Sequence, residues 1–232
     1  MRVLVIGANG GVGRHLCTQL HKLGAEVSAM IRSPEQARAF AEAGVTPVPG
    51  DLEQEFTSCF LNVDAVVFTA GSGGATGGDK TLLVDLWGAV RTFRACEAAG
   101  IKRYVMISAL RARNPDVGPE KLRHYLVAKH VADDYLRRTA LDYTILRPSR
   151  LTNGPATHQV TTCYRDGDPV GTVSRADVAL FTAQTLFAPQ TIRQTIDLSS
   201  GNTPILDAIT KHKKSGRPTA KHTASPPLDR QR

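Results

Sequence analysis

The sequence of 232 residues has no long apolar run and contains only four cysteines. No stretch approaches the roughly 18–20 apolar residues of a membrane-spanning helix. The apolar residues 3–6 are too few for the core of a signal peptide, so we expect a cytoplasmic protein without a membrane span. The cysteines, Cys17, Cys59, Cys96 and Cys163, are far apart. This spacing favours reduced thiols over a disulfide framework or a zinc site, and we expect no bound metal.

Aromatic residues are also few, at 6%, but the apolar fraction of 41% and the charged fraction of 22% are typical of globular proteins. The net charge of +8 is concentrated at the end of the chain. Residues 211–232 hold seven basic side chains and one acidic one, so we predict a disordered basic tail there. The balanced remainder predicts no specific nucleic-acid partner. An anionic partner of the tail stays open as an alternative.

Strand-like apolar runs alternate with helical patterns along the chain. Strands are predicted at residues 2–7, 26–31, 45–48, 64–69, 103–107, 143–146 and 194–198. Helices are predicted at residues 11–23, 33–44, 79–99, 119–138 and 175–187. Ser33, followed by proline, is the predicted cap of the second helix.

This alternation predicts an α/β protein with a doubly wound parallel sheet, which is the Rossmann fold. We expect a single domain over residues 1–210, in which residues 150–210 cover the substrate.

A glycine-rich turn follows the first predicted strand. Gly7, Gly10 and Gly13 form a G-x-x-G-x-x-G pattern directly before the first helix. In such a turn the glycines allow a tight bend, close approach of a pyrophosphate and close packing of helix on strand. The residues expected to bind a dinucleotide here are Gly7, Asn9, Gly10, Gly11, Val12 and Gly13.

The end of the second strand favours NADP(H) over NAD(H). An NAD site usually has a carboxylate there, but this sequence has Arg32, which lies 19 residues after Gly13. A guanidinium suits a 2′-phosphate, and we expect Ser33 and Arg14 to assist it. Asp51, after the third strand, is a candidate contact of the adenine or an ordinary turn residue.

Tyr125 and Lys129 form a Y-x-x-x-K pair within a predicted helix. Their spacing places both side chains on one helix face. An ammonium nearby should lower the tyrosine pKa and so assist proton transfer. Ser108, at the carboxyl end of a strand, is a candidate anchor for a substrate oxygen. A packing role for Tyr125 is the open alternative.

These motifs resemble the short-chain dehydrogenase/reductase superfamily, most closely its atypical NAD(P)H-binding, NmrA-like and epimerase-like branch. The resemblance covers about residues 1–210 and includes Asp51-Leu52, Thr69-Ala70-Gly71 and Arg147-Pro148. It implies that Leu52, Thr69, Ala70 and Gly71 border the cofactor and that Arg147-Pro148 lies by the nicotinamide. The Y-x-x-x-K pair itself makes Lys129 a candidate to hold the nicotinamide ribose. Asp85 departs from the family pattern, because many relatives have an asparagine of the proton relay there.

The sequence thus predicts an NADP(H)-dependent oxidoreductase acting on a small carbonyl or alcohol. The alternatives are a non-catalytic NADP(H) redox sensor that regulates a partner protein, an NADPH-dependent flavin reductase and a nucleotide-sugar epimerase-like enzyme. A homodimer through the two long helices is possible, and neither the substrate nor the reaction direction is predicted.

Overall fold

A nine-stranded, mostly parallel sheet forms the centre of the protein. The structure is a computed structural model that describes residues 1–164 and 171–212. The strands of this sheet are β1 (Arg2–Ile6), β2 (Glu26–Ile31), β3 (Thr46–Pro49), β4 (Ala65–Phe68), β5 (Arg103–Ile107), β6 (Asp142–Pro148), β8 (Gln159–Thr161), β10 (Gln194–Ser200) and β11 (Thr203–Pro204). A separate parallel pair contains β7 (Arg150–Thr152) and β9 (Thr172–Ser174).

The strand order is β11-β8-β10-β6-β5-β4-β1-β2-β3. The order reverses beside β1, which pairs in parallel with both β2 and β4. In open α/β sheets, ligands bind beyond the carboxyl ends of the strands at such a reversal. The predicted Rossmann architecture is confirmed, and its reversal point coincides with the glycine turn.

Helices pack on both faces of the sheet. They are α1 (Gly11–Lys22), α2 (Ala37–Glu42), α3 (Gly78–Lys80), α4 (Ala89–Ala98), α5 (Arg123–Arg137), α6 (Arg175–Leu186) and α7 (Ile205–Thr210). Side chains of β1 alternate between the two faces, as a strand requires. Val3 and Val5 join the core under α1 and α6, whereas Leu4 and Ile6 join the core under α4 and α5.

The predicted helix 79–99 is not a regular α-helix. It begins with the single turn α3, continues as a π-helix at Thr81–Gly88 and ends as α4. Each π-turn is wider than an α-turn, and such turns are frequent at functional sites. The buried Asp85 lies within this π-helix.

Ser33 occupies the predicted cap position, but the expected side-chain hydrogen bond is absent. The Ser33 backbone is extended as a cap requires. The chain first forms a 3₁₀ turn at Pro34–Gln36, in which the Gln36 N–H donates to the Ser33 carbonyl at 3.1 Å. The backbone carbonyl therefore takes the N–H that the hydroxyl was expected to bind.

Several short elements were not predicted. They are β7, β8, β9, β11 and α7, and β8 and β11 pair antiparallel within the otherwise parallel sheet. Each has six residues or fewer, which is too short for a clear periodic signal.

The predicted tail lies outside the described residues from residue 213 onward. No helix in the described ranges is both long and apolar enough to cross a membrane.

A buried carboxylate ties the segment before β8 to the start of α6. Ser174 caps α6 by accepting the Asp177 N–H at 2.9 Å, and its own hydroxyl donates to Asp177 at 2.8 Å. Asp177 also accepts the backbone N–H groups of Thr157 and His158. Burial alone would raise the pKa of Asp177, but these hydrogen bonds outweigh it and hold the pKa below its usual value.

We expect Asp177→Asn to lower the free energy of unfolding by roughly 3 kcal/mol at pH 7, since an amide replaces an acceptor of several charge-assisted bonds. The ionised carboxylate stabilises the fold fully above its unfolded pKa of about 3.9. That stabilisation is lost as the pH falls through the lower folded-state pKa. Urea unfolding from pH 7 to pH 3 should show the difference between the two proteins shrinking below about pH 4. A difference that does not change with pH would contradict this assignment.

Candidate functional site

At the two ends of the turn between β1 and α1 there is no room for any residue larger than glycine. Gly7 has a φ of +83°, and a Cβ there would lie 2.4 Å from the backbone nitrogen of Ala70. A Cβ at Gly13 would lie 2.3 Å from the carbonyl oxygen of Gly7. Gly10 closes the turn by donating its N–H to the Gly7 carbonyl at 3.0 Å. The turn is therefore held by direct contact of backbone with backbone.

The start of α1 is suited to an anion. Its cap is Gly10, which has no side chain to bond the first N–H groups of the helix, and the first turn contains no acidic residue. The positive end of the helix dipole lies at the same place. These features match the phosphate-binding end of a dinucleotide site.

Two neighbouring cavities lie along the carboxyl edge of the sheet on either side of this turn. The Arg32 cavity has a volume of about 250 Å³ and the Tyr125 cavity about 430 Å³. Both are bordered by Gly10 and by the segment after β4, and the residues that they share are Gly10, Thr69, Ala70, Gly71 and Ser72. An elongated ligand can therefore pass from one cavity to the other over the glycine turn.

The Arg32 cavity contains most of the residues predicted to bind the adenosine half. Arg32, Asp51 and Leu52 border it, and Gln36 and Met30 join them although the sequence did not single them out. No ion pair involves Arg32 within residues 1–164 and 171–212, so its charge is available to a ligand. The Asp51 carboxylate accepts the Glu53 N–H at 3.0 Å, which also makes it a turn residue.

Four predicted cofactor residues, Gly13, Arg14, Ser33 and Pro148, border neither cavity. Arg14 donates to the carbonyl oxygen and the side chain of Asn9. Ser33 lies on another depression beside Pro34, and Pro148 is buried in β6, where it pairs with Leu198. Their contact with a cofactor stays a prediction.

The Tyr125 cavity brings the three predicted catalytic residues together. Ser108, Tyr125 and Lys129 all border it, and Tyr125 and Lys129 come from one face of α5. Ser108 is only 3% exposed, and its hydroxyl has no hydrogen-bond partner among the described residues. A buried hydroxyl without a partner is costly, so this atom is suited to a ligand oxygen.

Lys129 is buried and already has a protein partner. Its Nζ donates to the Ile107 carbonyl oxygen at 2.8 Å and lies 5.6 Å from the centre of the Phe68 ring. Burial lowers the pKa of Lys129, although the carboxylates of Asp85 and Asp133 oppose this shift.

The expected lowering of the Tyr125 pKa is wrong. Burial, followed by the negative charges of Asp85 and Asp133, raises the pKa of Tyr125 well above its usual value near 10. The Lys129 ammonium does not reverse this shift, and its hydrogen bond goes to Ile107. Tyr125 is therefore a protonated phenol at neutral pH, which is a proton donor and a poor base.

Two buried carboxylates support this corner of the site. Asp85 is 1% exposed, borders the Tyr125 cavity and accepts the Ser72 N–H at 2.9 Å. Asp133 forms a buried ion pair with Arg147 at 2.8 Å. The resemblance implied only that Arg147 lies near the nicotinamide, whereas the structure makes it the counter-ion of Asp133.

Comparison with known proteins agrees with this geometry. A family model described as NAD(P)H-binding matches residues 7–189. A Bacillus subtilis protein named "Uncharacterized sugar epimerase YhfK" is 42% identical over 215 residues, which cover 91% of this chain and 100% of that protein. The chain therefore belongs to the NAD(P)H-binding family, and its resemblance to atypical short-chain dehydrogenases/reductases is confirmed. A nicotinamide nucleotide is the cofactor class that this family supports.

Solved structures agree with the fold assignment. A "Putative NAD-dependent epimerase/dehydratase" from Bacillus halodurans is 45% identical, with a TM-score of 0.89, and covers 91% of this chain and 99% of its own. The oxidoreductase ylbE from Lactococcus lactis is 30% identical, with a TM-score of 0.81, and the corresponding shares are 91% and 96%.

We expect Gly13→Ala to destabilise the protein by roughly 3 kcal/mol or more, because its Cβ would lie within 2.8 Å of backbone atoms of Gly7 and Ala8, which cannot move aside as a flexible side chain can. Thermal unfolding measures this effect. Gly74→Ala is the matched control, since a Cβ at Gly74 has nothing within 4 Å, and its melting temperature should stay close to that of the wild type. Equal melting temperatures for the wild type and both variants would contradict the backbone-on-backbone packing of the turn.

Proposed function

We propose that the protein is a cytoplasmic NADP(H)-dependent oxidoreductase that reduces a small carbonyl compound. The observation that carries this proposal is the buried hydroxyl of Ser108, which has no hydrogen-bond partner among the described residues. It borders the same cavity as Tyr125 and Lys129, and this cavity continues from the glycine turn. Free thiols at Cys17, Cys59 and Cys96 suit a reducing compartment.

Three residues of the Tyr125 cavity can each carry out one part of a carbonyl reduction. NADPH held along the glycine turn would supply the hydride that the carbonyl carbon accepts. Ser108 donates a hydrogen bond to the carbonyl oxygen and holds it near Tyr125. Tyr125 transfers its phenolic proton to that oxygen, which completes the alcohol. Lys129 stabilises the phenolate that remains, and solvent then returns the proton to it.

Tyr125 holds its proton at neutral pH, so it can supply the proton that a carbonyl reduction consumes. Burial, followed by the charges of Asp85 and Asp133, disfavours the phenolate form in either direction of the reaction. Reduction also suits NADPH as the donor. The preference for NADP(H) is supported by Arg32, the exposed cation that borders the cavity at the end of β2.

A non-catalytic NADP(H) sensor is the alternative, and it needs no proton transfer by Tyr125. A protein that binds the nucleotide without turnover can regulate a partner according to redox state only if it binds NADP⁺ and NADPH with different affinities. Flavin reduction would need the nucleotide and an open cavity but no tyrosine proton. Sugar epimerisation, suggested by the name of the Bacillus subtilis relative, would require Tyr125 as a base, which the raised pKa disfavours.

Tyr125→Phe should lower the rate of carbonyl-dependent NADPH oxidation by about 10²–10⁴-fold, because the proton donor is lost. The assay uses pooled small aldehydes and ketones, with free flavin as a separate acceptor. NADPH affinity should stay within about threefold, since the ring remains. Tyr135→Phe is the control, because it removes a hydroxyl from the same helix outside the cavity. Full activity in Tyr125→Phe would exclude the proposed proton donor.

Arg32→Gln should weaken NADPH binding by about 10-fold or more and leave NADH binding nearly unchanged, because only NADPH has the 2′-phosphate. Isothermal titration of both nucleotides measures this selectivity. Arg38→Gln removes an exposed cation paired with Glu42 on α2 and should change neither affinity. Equal losses for NADPH and NADH in Arg32→Gln would show that Arg32 does not read the 2′-phosphate.

A further inference from the structure

Arg175 lies against the start of α1, although it is far from the glycine turn in the sequence. It is the first residue of α6 and follows β9 directly. A Cβ at Gly11 would lie 2.6 Å from Cδ and 2.8 Å from Nε of Arg175. The arginine side chain therefore occupies the space that any larger residue at position 11 would need.

The charge of Arg175 has no carboxylate partner within residues 1–164 and 171–212. Its guanidinium donates to the neutral Asn153 side chain at 2.7 Å and borders the Tyr125 cavity. A partly exposed guanidinium with a neutral partner keeps most of its donors for another acceptor. The structure thus holds an available cation over the first residue of the phosphate-facing helix.

We propose that Arg175 binds the pyrophosphate of the nicotinamide nucleotide, which extends the proposed function and rests on it. The free N–H groups at the start of α1 and the Arg175 guanidinium would both donate to its oxygens. Its planar donors suit two phosphate oxygens at once. Gly11 then has a second role, because it leaves the space in which the arginine lies.

The contact with Gly11 favours the pyrophosphate over an anionic group on the substrate. The Arg175 Cζ lies 3.9 Å from the Cβ site of Gly11, at the helix end where a pyrophosphate would bind. The expected reaction centre is instead at Ser108 and Tyr125. The Arg175 guanidinium also donates to Asn153, which lies just after β7, so phosphate binding by Arg175 would be linked to the position of Asn153.

The test titrates the protein with three probes that differ in their phosphates and measures each affinity by calorimetry. The probe that binds most weakly is measured by competition. NADPH and 2′-phospho-ADP-ribose contain the pyrophosphate, whereas 2′-AMP contains only the 2′-phosphate. Arg175→Gln should weaken the first two by about 10-fold or more and leave 2′-AMP within about twofold. Arg150→Gln is the matched control, since it removes an exposed arginine on β7 that borders neither cavity, and it should change none of the three.

A double-mutant cycle tests the contact itself. Gly11→Ala in the wild type should weaken NADPH binding, because its Cβ displaces Arg175. In an Arg175→Ala background the same substitution should have a clearly smaller effect on the affinity. Equal effects in the two backgrounds would show that Arg175 does not act through this contact.

The outcomes separate this proposal from the function on which it rests. A wild-type protein that fails to bind NADPH overturns both. A wild type that binds NADPH, with an Arg175→Gln variant that binds all three probes equally well, overturns only the role of Arg175. Loss confined to NADPH would place the guanidinium at the nicotinamide end, and equal loss of all three probes would indicate a general structural effect. Either result overturns the proposal.

Discussion

The close approach of backbone to backbone at the glycine turn is the constraint on which the rest of the site depends. Gly7 leaves β1 with a positive φ against the end of β4, and Gly13 seats α1 against the Gly7 carbonyl. This packing aims the free N–H groups of α1 at the point where the strand order reverses. The Arg32 and Tyr125 cavities meet at that point, so a nucleotide that binds the turn has its two halves directed into them.

Buried charged groups lie around Tyr125 at the far end of the site. Lys129 is held by a backbone carbonyl, Asp133 by Arg147 and Asp85 by a backbone N–H. Burial and the two carboxylates keep the Tyr125 phenol protonated. Fixed charges of this kind need no reorganisation during a reaction, which is the main way that a protein stabilises a transition state.

The sequence predicted the fold and the glycine turn because both rest on local patterns. Alternating apolar periods and three spaced glycines are visible without tertiary contacts. The shift of the Tyr125 pKa was predicted in the wrong direction. The spacing of the pair places Lys129 near Tyr125, but it does not reveal the burial of Tyr125 or the charges of Asp85 and Asp133. Arg175 was not singled out, because its contact with Gly11 joins residues that are distant in the chain. The only local features that mark Arg175 are the strand β9 before it and the helix cap at Ser174. The strand β9 is too short to predict.

A crystal structure of the protein with NADP⁺ tests most directly whether the turn and the two cavities form one dinucleotide site. The pyrophosphate should lie at Gly10, Gly11 and Val12, the 2′-phosphate beside Arg32, and the nicotinamide ring in the cavity of Ser108 and Tyr125. Nucleotide bound elsewhere, or no bound nucleotide at millimolar concentration, would contradict the assignment of this edge of the sheet as the cofactor site.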